Sequence, residues 1–199
     1  IEACLVGSEM CIRDRFQWES CSINTKANIG SNSGKKISAG QEFYIKKINK
    51  DHSKKKISYI STKIEKIRVL QGTNFNYFSD EAKKKFFKDE FSVSKLSDRM
   101  GMRLEGPKIN NIIDTNIKSE GLIKGVIQVT SDGNPIIMLS DHGTIGGYPK
   151  IGVVVSADYD KLVQLSPGSK IKFKQVILND AETLFKFYDL ETQNLISQI

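Results

Sequence analysis

A chain of 199 residues, 39% hydrophobic and 27% charged, can bury the core of one domain or two small ones. No apolar run approaches the roughly 20 residues that cross a bilayer; the longest, 151–155, is broken by Gly152, so no membrane partner is expected. The formal charge of +7 comes from 25 Lys and only 5 Arg, beside 25 Ile and 12 Asn; AT-rich codons produce that trio, and Lys without interleaved Arg and aromatic contacts is a weak phosphate footprint, so no nucleic-acid partner is expected either.

Residues 1–15, IEACLVGSEMCIRDR, have neither the basic n-region nor the small-residue cleavage site of a signal peptide. They resemble a translated sequencing-adapter segment and are set apart as foreign, with the expectation that the natural N-terminus is missing. Residues 16–50 are read as the remnant of a preceding subdomain and 51–199 as the C-terminal subdomain. With Cys4 and Cys11 in the foreign stretch, Cys21 stands alone beside two His. That composition offers no internal disulfide and no metal site, and fits a reducing cytoplasm.

Gly30, Gly34 and Gly40 are spaced as turn signals, and 42–48 alternates as a strand does. KKINKDHSKKK (46–56) is a solvated basic loop; residues 35–68 hold eleven Lys or Arg against Glu42, Asp51 and Glu65. Ile57, Tyr59 and Ser61, and then 64–70, read as strands. Ser79 and Asp80 can cap a short helix through Asp89 that buries Ala82, Phe86 and Phe87. Strands follow at 91–96, 102–104 and 126–129; SDGN (131–134) is a hairpin turn leading into 135–139. A buried strand at 151–155, a helix at 158–165, a strand at 171–177 and a final helix from Asn179 complete the chain. Glu182 sits at capping-box spacing from Asn179, and Leu184, Phe185, Tyr188 and Leu195 supply that helix's apolar side. About nine short strands with helices at edges and ends predict a mainly β, barrel-like or sandwich architecture.

Three segments carry chemistry. In SDRMGMRLEG (97–106), Arg99 and Arg103 stand out in a chain that otherwise uses Lys; a planar guanidinium suits bidentate recognition of carboxylate, carbamate or phosphate. The alternative is a structural pair with Glu105 or Asp98. In SEGLIKGVIQV (119–129), Gln128 offers a donor and an acceptor to an amide, or it is an ordinary solvent-facing strand residue. In SDHGTIGGYPKI (140–151), Gly143, Gly146 and Gly147 permit positive φ, close backbone approach and an anion nest. Asp141, His142, Thr144 and Tyr148 bring polar groups to the same loop, which is otherwise read as a complex turn.

Taken in order, these segments resemble the family that includes allophanate hydrolase subunit 2, KipA, the C subunit of 5-oxoprolinase and biotin-dependent carboxyltransferases. SCSINTKANIG…GKKISAGQEF (20–43) and IRVLQGTNFNYF (67–78) add to the match, which runs from about Ser20 to the last strand. Thr73 and Thr130 stand where the family has Pro, Met102 where it commonly has Tyr, and Gly143 where many members have Gln. The resemblance implies a cyclophilin-like β-barrel, a partner like KipI (allophanate hydrolase subunit 1), and a third subunit in 5-oxoprolinases. It implies an enzyme subunit acting on a small amide, foremost the ATP-dependent opening of 5-oxoproline to glutamate, with ATP held at the level of the complex. The alternatives are transfer of a carboxyl group from carboxybiotin in a urea carboxylase and allophanate pathway, or a non-catalytic KipA-like antagonist of a kinase inhibitor. On this reading Arg99, Arg103, Gly146, Gly147 and Tyr148 contact the anion, Gln128 and Thr144 hold the amide, and His142 with Asp141 moves the proton, since imidazole ordinarily titrates near neutrality. The family's Thr-x-Gln-Asp stretch lies upstream of the match, so the fragment alone is not expected to turn over substrate.

Overall fold

The computed structural model describes residues 28–29, 32–42, 66–112 and 116–197. The chain divides into two compact units, residues 1–55 and 56–199. In the first, Asn32–Gly34 form a 3-10 turn and Gln41 N–H donates to the Ser38 carbonyl at 3.2 Å. The sequence-derived strands at 42–48 and 57–61 and the basic loop 46–56 lie outside the described residues, Glu42 apart.

The second unit is built on β1 (Ile67–Gln71), β2 (Phe91–Val93), β3 (Gly101–Glu105), β4 (Glu120–Gly121), β5 (Val126–Val129), β6 (Pro135–Met138), β7 (Ile145–Gly146), β8 (Lys150–Val154), β9 (Lys170–Ile171) and β10 (Phe173–Gln175), with helices α1 (Asp80–Lys88), α2 (Ser156–Val163) and α3 (Leu178–Ile196). Eight strands make one sheet in the order β10-β1-β8-β5-β6-β3-β2-β9. Its two edge strands are neighbours in the chain, separated only by Lys172, whose carbonyl accepts the Ile67 N–H at 2.8 Å. The sheet therefore nearly closes on itself, the barrel that the sequence predicts. The 171–177 stretch is two strands and not one, because the chain changes partner there, from β2 to β1.

The inward residues of each strand alternate as a pleated strand requires. Val69, Phe91, Val93, Leu104, Ile127, Val129, Ile137, Ile151 and Phe173 join one buried cluster. Phe86, on α1, seals it by stacking on Phe173 with ring centroids 4.5 Å apart. Ser79 caps α1 as predicted, its hydroxyl accepting the Ala82 N–H at 3.1 Å. At the start of α2, Asp158 is fully buried and is met by both the backbone N–H (2.8 Å) and Nε (2.9 Å) of Arg68. That pair fastens α2 to β1 and holds the Arg68 guanidinium above its ordinary pKa, chiefly through the hydrogen bond.

α3 departs from its expected start. It begins at Leu178 with Ile177 as N-cap and no side-chain cap, so the Asn179–Glu182 capping box is not formed. Packing sets the helix instead: Ala181, Leu184 and Tyr188 lie against Val155, Ala157 and Leu70, while Phe185 remains 47% exposed.

Candidate functional site

A second, smaller cluster lies on the outside of the barrel. Leu122, Val126 and Met138, with Ile136 and Val153, pack together away from the main core. They are covered by a two-stranded antiparallel ribbon of β4 and β7, in which Glu120 pairs with Gly146 and Gly121 with Ile145. Neither strand is legible in the sequence, because two residues carry no alternation.

Register brings several predicted residues to this outer face. Arg103 on β3 pairs with Ile136 on β6, Ile136 with Gln128 on β5, and Gln128 with Lys150 on β8. Directly paired residues share a face, and neighbouring strands lie about 4.8 Å apart. These four side chains thus form one transverse row about 14 Å long by that spacing. The row depends on a register shift between β5 and β8 at Ile127/Gln128. Without it, alternation would have turned Ile151 outward and Lys150 into the core, since a one-residue slip reverses every side chain beyond it.

Gln128 is buried, 4% exposed, which rules out the solvent-facing alternative. Its Nε2 donates to the Tyr148 carbonyl at 3.0 Å, and Gly146 lies so close that a Cβ there would be 2.8 Å from that nitrogen. Arg103 is exposed, and its guanidinium makes no hydrogen bond or ion pair among the described residues. Lys150 does not stand out in the sequence, yet its side chain is 5% exposed with Nζ 2.6 Å from Glu120 Oε2. Asn74, also buried, closes the group: its Oδ1 accepts the Lys150 N–H at 3.0 Å and its Nδ2 stands 3.5 Å from Glu120 Oε1. The lysine hydrogen bond is the main cause that holds the Glu120 carboxyl below its ordinary pKa.

The other predicted residues lie on the turn before β3 and on the loop between β6 and β7. Arg99 is engaged by Asp141, Nε to Oδ2 at 2.9 Å and a terminal nitrogen to Oδ1 at 3.1 Å. The bidentate geometry is the expected one, but the carboxylate is Asp141 and not Asp98 or Glu105. Asp98 instead orders its own turn by accepting the Met100 and Gly101 N–H groups at 2.8 and 3.2 Å. Arg99 borders a cleft of about 420 Å³ at one end of the barrel, lined also by Ser97, Met102, Leu139, Leu165 and Pro167. His142 is half-buried with Nδ1 2.6 Å from the Gly143 carbonyl, a contact that needs a proton on Nδ1 and, in the neutral ring, leaves Nε2 an acceptor. No hydrogen bond joins His142 to Asp141 among the described residues. Thr144 is exposed, and its carbonyl accepts the Leu122 N–H at 2.9 Å.

Positive φ is not what the three loop glycines supply. None of Gly143, Gly146 and Gly147 adopts it. Gly146 and Gly147 answer to close packing against the chain itself: a Cβ on Gly147 would lie 3.1 Å from the Ile117 carbonyl oxygen. Among the described residues there is no cluster of three or more His, Cys, Asp or Glu, and no helix is long and apolar enough to cross a membrane.

The nearly closed β-barrel has known counterparts. The fold matches a domain of the Kluyveromyces lactis urea amidolyase structure with a TM-score of 0.62 and 30% identity, over 65% of this chain and 8% of that one. The family model described as carboxyltransferase domain, subdomain A and B, matches residues 12–175, and the chain belongs to that family. The match begins inside the 1–15 stretch that the sequence marks as foreign. Among curated proteins, the 5-oxoprolinase C subunit of Escherichia coli is 33% identical over 162 residues, 81% of this chain and 52% of the relative. The Haemophilus influenzae protein of the same name is 33% identical over 179 residues, 88% of this chain and 58% of the relative. The chain thus spans somewhat more than half the length of these relatives.

Proposed function

We propose that this chain is the carboxyltransferase-fold part of an enzyme subunit that works with a KipI-like partner and a third subunit to open 5-oxoproline to glutamate with hydrolysis of ATP. The observation that carries the reading is the 33% identity to two proteins named as the C subunit of 5-oxoprolinase. In this reaction the ring C–N bond breaks, water supplies the acyl oxygen and a proton to nitrogen, and a second water takes up the phosphoryl group of ATP. The substrate is a small lactam bearing one carboxylate. Arg103, exposed and unpaired among the described residues and at the other end of the row from Lys150, suits an anionic phosphoryl or carboxyl group held beside the lactam. Lys150 suits the negative charge that develops on the lactam oxygen. His142, with Nε2 open, is the proton carrier for the ring nitrogen, and Thr144 and Tyr148 flank it on the same loop. Gln128 acts by holding the 146–148 segment against the barrel. Arg99 and Asp141 fix the start of the loop. We assign nucleotide binding to a partner subunit: Gly143, Gly146 and Gly147 do not take the positive φ of a phosphate-cradling nest.

Transfer of a carboxyl group from carboxybiotin to urea is the second reading, favoured by the 30% identity to the Kluyveromyces lactis urea amidolyase. The deciding experiment co-expresses the full-length gene product with its partner subunits and measures ATP-dependent glutamate release from 5-oxoproline. Release that needs this subunit, and that falls by about 100-fold on His142→Ala or Lys150→Met, is the expected result. No glutamate from an intact complex would overturn the reading; biotin-dependent carboxylation of urea would then establish the second, and neither activity a regulatory role.

A further inference from the structure

We infer that Glu120 and Asn74 are positioning residues for Lys150, holding its amine at one point on the barrel's outer face. The inference rests on the reading above and adds to it the means by which a flexible cation becomes a fixed one.

A lysine side chain has four rotatable bonds and loses much freedom when it is held. Here its main chain is gripped first. Asn74 N–H donates to the Lys150 carbonyl at 3.3 Å, and Asn74 Oδ1 accepts the Lys150 N–H at 3.0 Å. Gly72 lies so near that a Cβ on it would sit 2.3 Å from the same carbonyl oxygen, so the end of β1 can lie against β8 at this height only with no side chain at Gly72. The amine is gripped second, by Glu120 Oε2 at 2.6 Å. Glu120 is not part of the barrel: it rides on β4, the ribbon strand.

The pair is lopsided in a way that a purely structural bridge has no use for. The Lys150 side chain is 5% exposed and that of Glu120 is 43% exposed. Burying an ammonium is costly and is only partly offset by one carboxylate, whereas an apolar side chain at this position would carry no such cost. A cation kept at that position and steered by a solvent-facing carboxylate is preorganised for an anion arriving from the same side. Asn74, bonded to both members, sets the height of one and the orientation of the other.

The test uses the full-length gene product in complex with its partner subunits, as wild type, Glu120→Gln and Glu120→Ala. Acylation of lysines by a succinimidyl ester, mapped by mass spectrometry, reports whether the amine is held; glutamate release reports catalysis. The inference expects Lys150 to be sluggish toward the ester in wild type and severalfold more reactive in Glu120→Ala. It expects kcat to fall at least about tenfold in Glu120→Ala with KM changed less than about twofold. Glu120→Gln, which keeps an oxygen that accepts from the amine, falls between and guards against a simple folding defect. Unchanged labelling in both variants overturns the inference, whether or not glutamate is formed. A lower KM in Glu120→Ala also overturns it, since Glu120 would then be competing with the substrate anion for the amine.

Discussion

The inside and the outside of the barrel solve different problems. Inside, Phe86, Phe91 and Phe173 interlock with strand residues that are nearly all below 5% exposure. The outer seam under the ribbon instead holds Gln128, Lys150 and Asn74, all buried and all polar, assembled from two strands and a turn. Apolar burial is non-directional and tolerates many arrangements of similar volume. A polar seam is satisfied only when each donor meets its acceptor. The contrast indicates that the interior supplies stability and the seam is where the molecule spends some of it.

Four measurements test that division, from the largest expected effect downward. Phe86→Ala removes the ring stacked on Phe173 and should destabilise by about 3–5 kcal/mol in chemical denaturation, while the assembled complex, if it folds, keeps its kcat. An equal loss of kcat would show that the interior and the seam are not separate. Gly146→Ala puts a Cβ 2.8 Å from both Gln128 Nε2 and Leu122 Cδ1. It should cost about 1–3 kcal/mol and, unlike the first, depress kcat out of proportion to stability. Tyr159→Phe removes a buried hydroxyl that has no hydrogen-bond partner among the described residues and should raise stability by up to about 1 kcal/mol; a loss would reveal a partner for that hydroxyl.

The smallest effect is a pH dependence. The folded pKa of Glu120 lies below its unfolded value, so its ion pair contributes fully above about pH 4.3 and is lost as pH falls through the lower, folded value. Thermal stability should therefore decline less steeply on acidification in Glu120→Gln than in wild type. The difference is expected to be slight, because the carboxylate is 43% exposed and solvent screens it. A large difference would place Glu120 with the buried residues of the seam.

Much of the barrel is legible in the order of residues. The Ser79 cap with Ala82 and Phe86 behind it, the strand expected at 102–104, and the SDGN turn are local patterns, and each forms within two residues of its expected place. At α3 a local pattern fails, because the packing of Ala181, Leu184 and Tyr188 outweighs a capping box on an exposed surface. The candidate site is legible only in part. Arg99, Arg103, Gln128 and the 141–148 loop stand out as residue types that suit anions and amides. Nothing local joins Arg103 to Gln128, or separates both from the Arg99–Asp141 pair.

The sequence by itself determined the family, the β-rich architecture and the segments in which polar chemistry would be found, because caps, turns and alternation act over a few residues. Only the tertiary structure decided which of those residues meet. Asn74, Glu120 and Lys150 are far apart in the chain, and their meeting depends on one register shift at Ile127/Gln128. Such a shift sits between two strands distant in the chain, and no stretch of a few residues contains that information.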